Sequence, residues 1–181
     1  MKKIFWFFGF AILAIIILLT QFGIEIGNVR IGKQNDMYKK QNFNFEDSPF
    51  YKEYYSKEGL VVLNLWATWC APCVEEMPIL NEVKSYYKNQ NIKFISLSID
   101  TDSVKLKNFI SKGNFDYLDV TFKNIEFKNA ILNTLENKKT DEWISSTTIP
   151  KTYLIKNGKV LFKFEGEIAK DELIKIIDKE K

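Results

Sequence analysis

The stretch Leu60-Val61-Val62-Leu63-Asn64-Leu65-Trp66-Ala67-Thr68-Trp69-Cys70-Ala71-Pro72-Cys73 decides the fold. Its first seven residues form an apolar run broken only by Asn64, the pattern of a strand buried on both faces. Cys70 stands where that strand gives way to a helix, expected from about Cys70 to Lys88. Outward from this unit, strand and helix alternate. Ile92 to Ile99 reads as a strand, Ser103 to Lys112 as a helix, Leu118 to Phe122 as a shorter strand and Glu126 to Leu135 as a helix. The chain then changes pattern: Thr152 to Ile155 and Val160 to Phe164 flank Asn157-Gly158, a strong hairpin signal, and Ala169 to Lys181 makes an amphipathic closing helix. Parallel strands joined by helices, with an antiparallel hairpin at one side, predict a mixed α/β sheet flanked by helices.

The same stretch carries the chemistry. A sulfur at Cys70 meets the unpaired N–H groups and the positive dipole end of the following helix, which favours thiolate over thiol. Free cysteine titrates near 8.5, and this kind of placement lowers it to about 7 or below. Pro72 suits the first turn because its missing N–H would have had no helical partner there. Cys73 lies one turn along the same face, near enough for a disulfide to close and reopen. A loop this short crosslinks almost no chain, so a purely structural disulfide would add little stability. Cys73 is flanked by Val74 and Met77, and desolvation there should keep its pKa above that of Cys70. Cys70 is therefore the expected nucleophile.

The 181 residues contain those two cysteines and no histidine. That excludes Ser-His-Asp and Cys-His catalysis and histidine-liganded metals. Two thiolates leave a tetrahedral zinc two ligands short within one chain, so neither metal nor cofactor is expected. Beyond residue 24 the net charge is only +1, and the lysines are scattered among acids, as from Glu172 to Lys175. A nucleic-acid partner would call for clustered basic residues, and none is expected here.

No polar side chain interrupts Ile4 to Leu19, and the apolar character continues weakly through Ile24. As a helix, residues 4–24 would span about 31 Å, enough to cross the hydrocarbon core. Lys2 and Lys3 before it favour an N-terminus in the cytoplasm and a C-terminal domain outside the cytoplasmic membrane, periplasmic where an outer membrane is present. A cleaved signal peptide has a similar charged start and apolar centre. However, Gln21, Phe22 and Gly23 supply no small-residue cleavage pattern, which favours a retained single-pass anchor. A disulfide can persist in that location. The expected organisation is an anchor over 1–24, a connector over 25–58 and a domain over 59–181. Phe43, Phe45, Phe50, Tyr51, Tyr54 and Tyr55 argue that the connector packs in part on the domain, with a short helix near 49–57.

From Val61 through Cys70-Ala71-Pro72-Cys73 to Val74-Glu75-Glu76-Met77-Pro78, the chain resembles the thioredoxin superfamily, and within it the membrane-anchored TlpA/ResA-like thiol-disulfide oxidoreductases. The likeness extends to Thr148-Ile149-Pro150-Lys151-Thr152-Tyr153-Leu154-Ile155, covers roughly 59–181 and weakens between 115 and 147. It implies a thioredoxin-like fold and a Cys70/Cys73 dithiol-disulfide cycle. It also implies a cis peptide before Pro150 that leaves the backbone of Ile149 free to pair with an extended substrate. Trp69, Ala71 and Pro72 would share in substrate binding, with Trp69 shielding the sulfur and Trp66 in the core. The resemblance further implies disulfides of exported proteins as substrates, apocytochrome c among them, and a membrane thiol carrier as electron donor. The β-hairpin common in this group is not evident in residues 25–58.

Proton handling narrows to one residue. Glu76 is three positions from Cys73 and returns to its side of the helix, whereas Glu75 faces elsewhere. Glu76 is thus the candidate acceptor for the Cys73 proton, a role the resemblance also assigns to this position. Asn64 stands where many cytosolic thioredoxins have a buried aspartate, and an amide cannot titrate. Oxidation of secreted thiols is the same chemistry run in reverse and stays open, because direction depends on how far the fold stabilises the Cys70 thiolate. A peroxidase would need a threonine three residues before the cysteine and an arginine at the site. Thr68 is two before Cys70, and the only arginine is Arg30. A membrane-tethered binding module or a metal carrier built from two copies is the remaining alternative.

Overall fold

The computed structural model describes residues 24–26, 29–31, 43–113, 116–138 and 147–181. The chain divides into two compact units, Met1–Asp36 and Met37–Lys181. In the first, strand β1 (Ile24–Ile26) pairs antiparallel with β2 (Val29–Ile31), Ile24 opposite Ile31 and Ile26 opposite Val29. This hairpin corrects the sequence reading, which found none in residues 25–58 and counted Ile24 with the apolar run. Three-residue strands give a period-two signal too short to stand out beside that run. The expected membrane segment otherwise lies outside the described residues, as does Trp143. Among the described residues no helix is long and apolar enough to cross a membrane.

The second unit is built on a five-stranded sheet of order β5-β4-β3-β6-β7, comprising β3 (Leu60–Trp66), β4 (Ile92–Ser98), β5 (Leu118–Asp119), β6 (Lys151–Lys156) and β7 (Lys159–Glu165). β3 runs parallel to β4 and antiparallel to β6, so it lies at the centre of a mixed sheet. All seven of its residues are buried, as a strand covered on both faces requires. Each fully buried Leu or Val there contributes about 2 kcal/mol of transfer free energy. Asn157 and Gly158 both have positive φ, the conformation that a two-residue hairpin turn between β6 and β7 demands. β5 is shorter than expected. Its pairing with β4 stops at Asp119, and Phe122–Asn124 forms a 3-10 turn where the strand was predicted to end.

Helix α1 (Ala71–Tyr86) runs through Pro78, whose ring faces solvent, and buries Cys73, Glu76, Met77, Leu80 and Val83 on its inner side. It packs against α4 (Lys170–Glu180), where Tyr87, just past its end, donates its hydroxyl to Asp178 Oδ1 at 2.8 Å. Asp102 caps α2 (Ser103–Ser111) by accepting from the N–H groups of Val104 and Lys105, each at 3.0 Å. α3 (Lys128–Leu135) begins two residues later than expected. Within this unit, residues 43–58 form an aromatic cluster, with Phe45 edge-on to Tyr51 and Tyr55 and the Phe50 N–H donating to Asn124 Oδ1 at 2.8 Å. The helix predicted near 49–57 proves to be a π-helical turn over Tyr51–Tyr55.

Candidate active site

Cys70 caps α1. Its Sγ accepts from the Cys73 N–H at 3.3 Å, and its carbonyl accepts from the Val74 N–H at 3.1 Å. The sulfur therefore sits on the free N–H groups of the first turn, where negative charge is stabilised. Cys70 and Cys73 form a disulfide, with S–S 2.06 Å and Cα–Cα 5.3 Å. The two sulfurs differ in access: Cys70 retains 6% exposure and Cys73 none. Around them Trp69, Ala71 and Pro72 are exposed, Trp69 at 37%. Trp66 is wholly buried, against Phe109 of α2 with ring centroids 5.3 Å apart. The Ile149–Pro150 peptide is cis, and both residues are buried. The ladder between β3 and β6 ends with Leu65 opposite Lys151, which puts Pro150 at the end of the sheet from which the Cys70 loop departs.

Glu76 and Glu75 separate as the helical spacing requires. Glu75 is exposed, whereas Glu76 is 1% exposed beneath α1. Glu76 Oε1 accepts from Asn64 Nδ2 at 2.7 Å, and its Oε2 accepts from the Ile168 N–H at 3.4 Å. Asn64 Nδ2 also reaches Thr152 Oγ1 at 3.4 Å, joining β3, β6 and α1 at one buried point. Burial pushes the Glu76 carboxyl up to about 7, against the two hydrogen bonds that hold it down, and the nearby Glu167 charge adds to the rise. A carboxyl so placed is divided between its two protonation states near neutral pH. It can accept a proton from a group on its own helix face and return it.

Sequence reasoning missed several supporting residues. Ile168 offers only a backbone N–H, which leaves no mark on side-chain pattern. Asp100 follows β4 by two residues and holds the loop before Cys70, accepting from both the Thr68 N–H and the Thr68 hydroxyl at 2.7 Å. An acid placed directly after a buried parallel strand is the signal that could have singled it out.

The Redoxin family model matches residues 51–177. A thiol-disulfide oxidoreductase ResA of Bacillus thuringiensis subsp. konkukian is 34% identical over 120 residues, covering 66% of this chain and 62% of that protein. The ResA of Oceanobacillus iheyensis is 32% identical over 114 residues, covering 62% of this chain and 53% of its own length. The match thus spans less than two thirds of these relatives. Among solved structures, StoA from Bacillus subtilis superposes with a TM-score of 0.52 at 17% identity, over 66% of this chain and 83% of that one. A thioredoxin-family thiol:disulfide interchange protein from Chlorobium tepidum gives 0.53 at 18%, over 75% and 88%. Those two likenesses speak for the thioredoxin-like fold. The family match takes in both cysteines, Glu76 and the cis proline, so the chain belongs to the Redoxin family.

Proposed function

We propose that this protein is a thiol-disulfide oxidoreductase that reduces disulfides of exported proteins, apocytochrome c among them, from the outer side of the cytoplasmic membrane. One observation carries the reading: a disulfide at the first turn of α1 joins a sulfur that keeps some exposure to one that is fully buried, and three residues further along the same helix stands Glu76, a buried carboxyl that burial pushes up to about 7. In the reduced protein, the Cys70 thiolate attacks a substrate disulfide. A bond forms between Cys70 and one substrate sulfur, and the other leaves as thiolate and takes a proton from solvent. Cys73 passes its proton to Glu76 and attacks the Cys70 sulfur. The mixed disulfide breaks, the second substrate thiolate leaves, and Glu76 returns the proton to it. The substrate has gained two electrons and two protons, and the protein is left as the Cys70–Cys73 disulfide.

Trp69, Ala71 and Pro72 form the exposed rim that meets the substrate, and Ile149 offers its backbone beside them. The apolar run that begins at Ile4 and ends before β1 anchors the chain, and a membrane thiol carrier recharges it. Resemblance to the ResA group supports both statements. The reverse direction is separated by equilibrium with glutathione: a potential near −120 mV would mark an oxidant, and a much lower one a reductant.

The roles are tested by alkylation and insulin reduction. Cys70 of the reduced protein should alkylate first with iodoacetamide at neutral pH. Cys70→Ser should abolish insulin reduction, while Cys73→Ser should accumulate mixed disulfides and, in cells, trap the substrates. Cys73 alkylating first, or full activity in Cys70→Ser, would overturn the assignment.

A further inference from the structure

A buried polar layer lies behind the Cys70 loop, and the exchange steps above make no use of it. Asp100 is 2% exposed, and its carboxylate accepts three hydrogen bonds at 2.7 Å: Thr68 Oγ1 to Oδ1, and the Thr68 N–H and Ser98 Oγ to Oδ2. Both hydrogen-bond donors of the residue two before Cys70 are thus held by one carboxylate. The Ile99 N–H donates to the Trp66 carbonyl at 2.8 Å, tying the same loop to the end of β4. Behind Asp100, Lys128 opens α3 at 1% exposure and donates from Nζ to the Asp100 carbonyl at 3.2 Å. Burial draws Lys128 down to about 8, while the charges of Asp100 and Asp119 hold it up. A lysine is seldom buried so completely without anions to answer it. As a device for stability alone, burying two opposed charges gains little over apolar side chains of the same volume. Its position next to the reactive loop gives it another use.

We propose that Asp100 and Lys128 are positioning residues for exchange at Cys70: Asp100 clamps the loop through Thr68, and the two opposed buried charges together set how readily the disulfide is reduced. The inference rests on Cys70 being the attacking sulfur. The disulfide carries no charge and is indifferent to either group, whereas the reduced protein carries thiolate at Cys70. The Asp100 carboxylate opposes that charge, and the Lys128 ammonium favours it. Further carboxyls on the neighbouring elements are Asp119, half-buried on β5, and Glu76, buried on α1. Reduction by two glutathione molecules supplies two electrons and two protons, one proton passing to water as Cys70 ionises. Stabilising the thiolate therefore pulls the equilibrium toward the reduced protein.

The test compares the full chain with three variants, reading the glutathione equilibrium and the pH midpoint of Cys70 alkylation. Asp100→Asn should favour the reduced form about tenfold, about 30 mV, and lower the midpoint. Lys128→Met should shift both readings the opposite way by a similar factor. Thr68→Val, nearly isosteric, removes one donor from Asp100 and should follow Lys128→Met with a shift of about threefold. Should either charge variant fail to fold, Thr68→Val must still oppose Asp100→Asn or accompany Lys128→Met. Shifts of one sign in all variants, or lowered melting temperatures with unchanged potential and midpoint, would overturn the proposal and leave the pair purely structural. First alkylation at Cys73 in the unaltered protein would instead sink the proposed function, before any variant is compared.

Discussion

Two carboxylates of the sheet domain, Glu76, which is buried, and Glu136, which is half-buried, move in opposite directions from the same starting value. Glu76 is met only by an amide and a backbone N–H, and burial carries it up to about 7. Glu136 caps the end of α3, and burial would raise it too. Lys151 at 2.7 Å, Lys163 at 3.1 Å and the Tyr153 hydroxyl overturn that effect and hold it down to about 2. Neutral donors solvate a buried carboxylate without matching its charge, whereas cations fix it in the ionised state. One carboxyl is left free to exchange a proton, and the other is locked as a structural anion beside the cis proline, since Lys151 directly follows Pro150. Burial pushes both upward, and the partners decide which way each carboxyl ends.

The largest expected effect breaks the locked region. Lys151→Met removes the buried member of the two cations that Glu136 and Glu165 share, leaving the more exposed Lys163, and should cost about 3 kcal/mol in urea unfolding at pH 7. The pH dependence of stability should then separate the two carboxyls. The folded-state pKa of Glu76 is raised, so its favourable contribution is complete below about 4.5 and is lost as pH rises through about 7. Glu136 is depressed, so its contribution is present above about 4.5 and is lost as pH falls toward 2. Glu76→Gln should therefore be about 2 kcal/mol more stable than the unaltered protein at pH 8. This allows about 3 kcal/mol for the relieved charge and about 1 for a lost hydrogen bond, and the advantage should vanish at pH 4. A Glu76→Gln protein with unchanged stability from pH 4 to pH 8 would contradict the raised pKa.

In stopped-flow resolution of a mixed disulfide, Glu76→Gln should slow the step about tenfold at pH 7 and erase the inflection near that pH, while Glu136→Gln leaves the inflection in place. The smallest effect concerns Asn64. Asn64→Ala removes a donor to the Glu76 carboxylate and should move that inflection up by less than about one pH unit. A downward shift would mean that the amide does not hold the charged form.

Local pattern was enough to read β3, the helix beginning at Cys70, the hairpin at Asn157-Gly158 and the inward turn of Glu76. Each depends on periodicity or on a turn residue within a few positions of the feature it explains. β5 was read too long because Val120 is buried like a strand residue although the ladder has already ended. The π-helical turn at Tyr51–Tyr55 was legible as helical, but its widened turn is tied to packing among aromatic rings contributed by Phe45 and Phe50.

The amino-acid sequence by itself determined the redox pair and the order of strands and helices, because a sulfur at a strand-to-helix junction and an apolar period are properties of neighbours in the chain. Only the tertiary structure decided which charges work and which merely hold. Asn64 and Glu76 are 12 residues apart, Thr68 and Asp100 are 32 apart, and Glu136 lies 15 from Lys151. A proton affinity is set by the desolvation and the partners that folding assembles around a group, and no spacing in the chain encodes which distant donor will arrive.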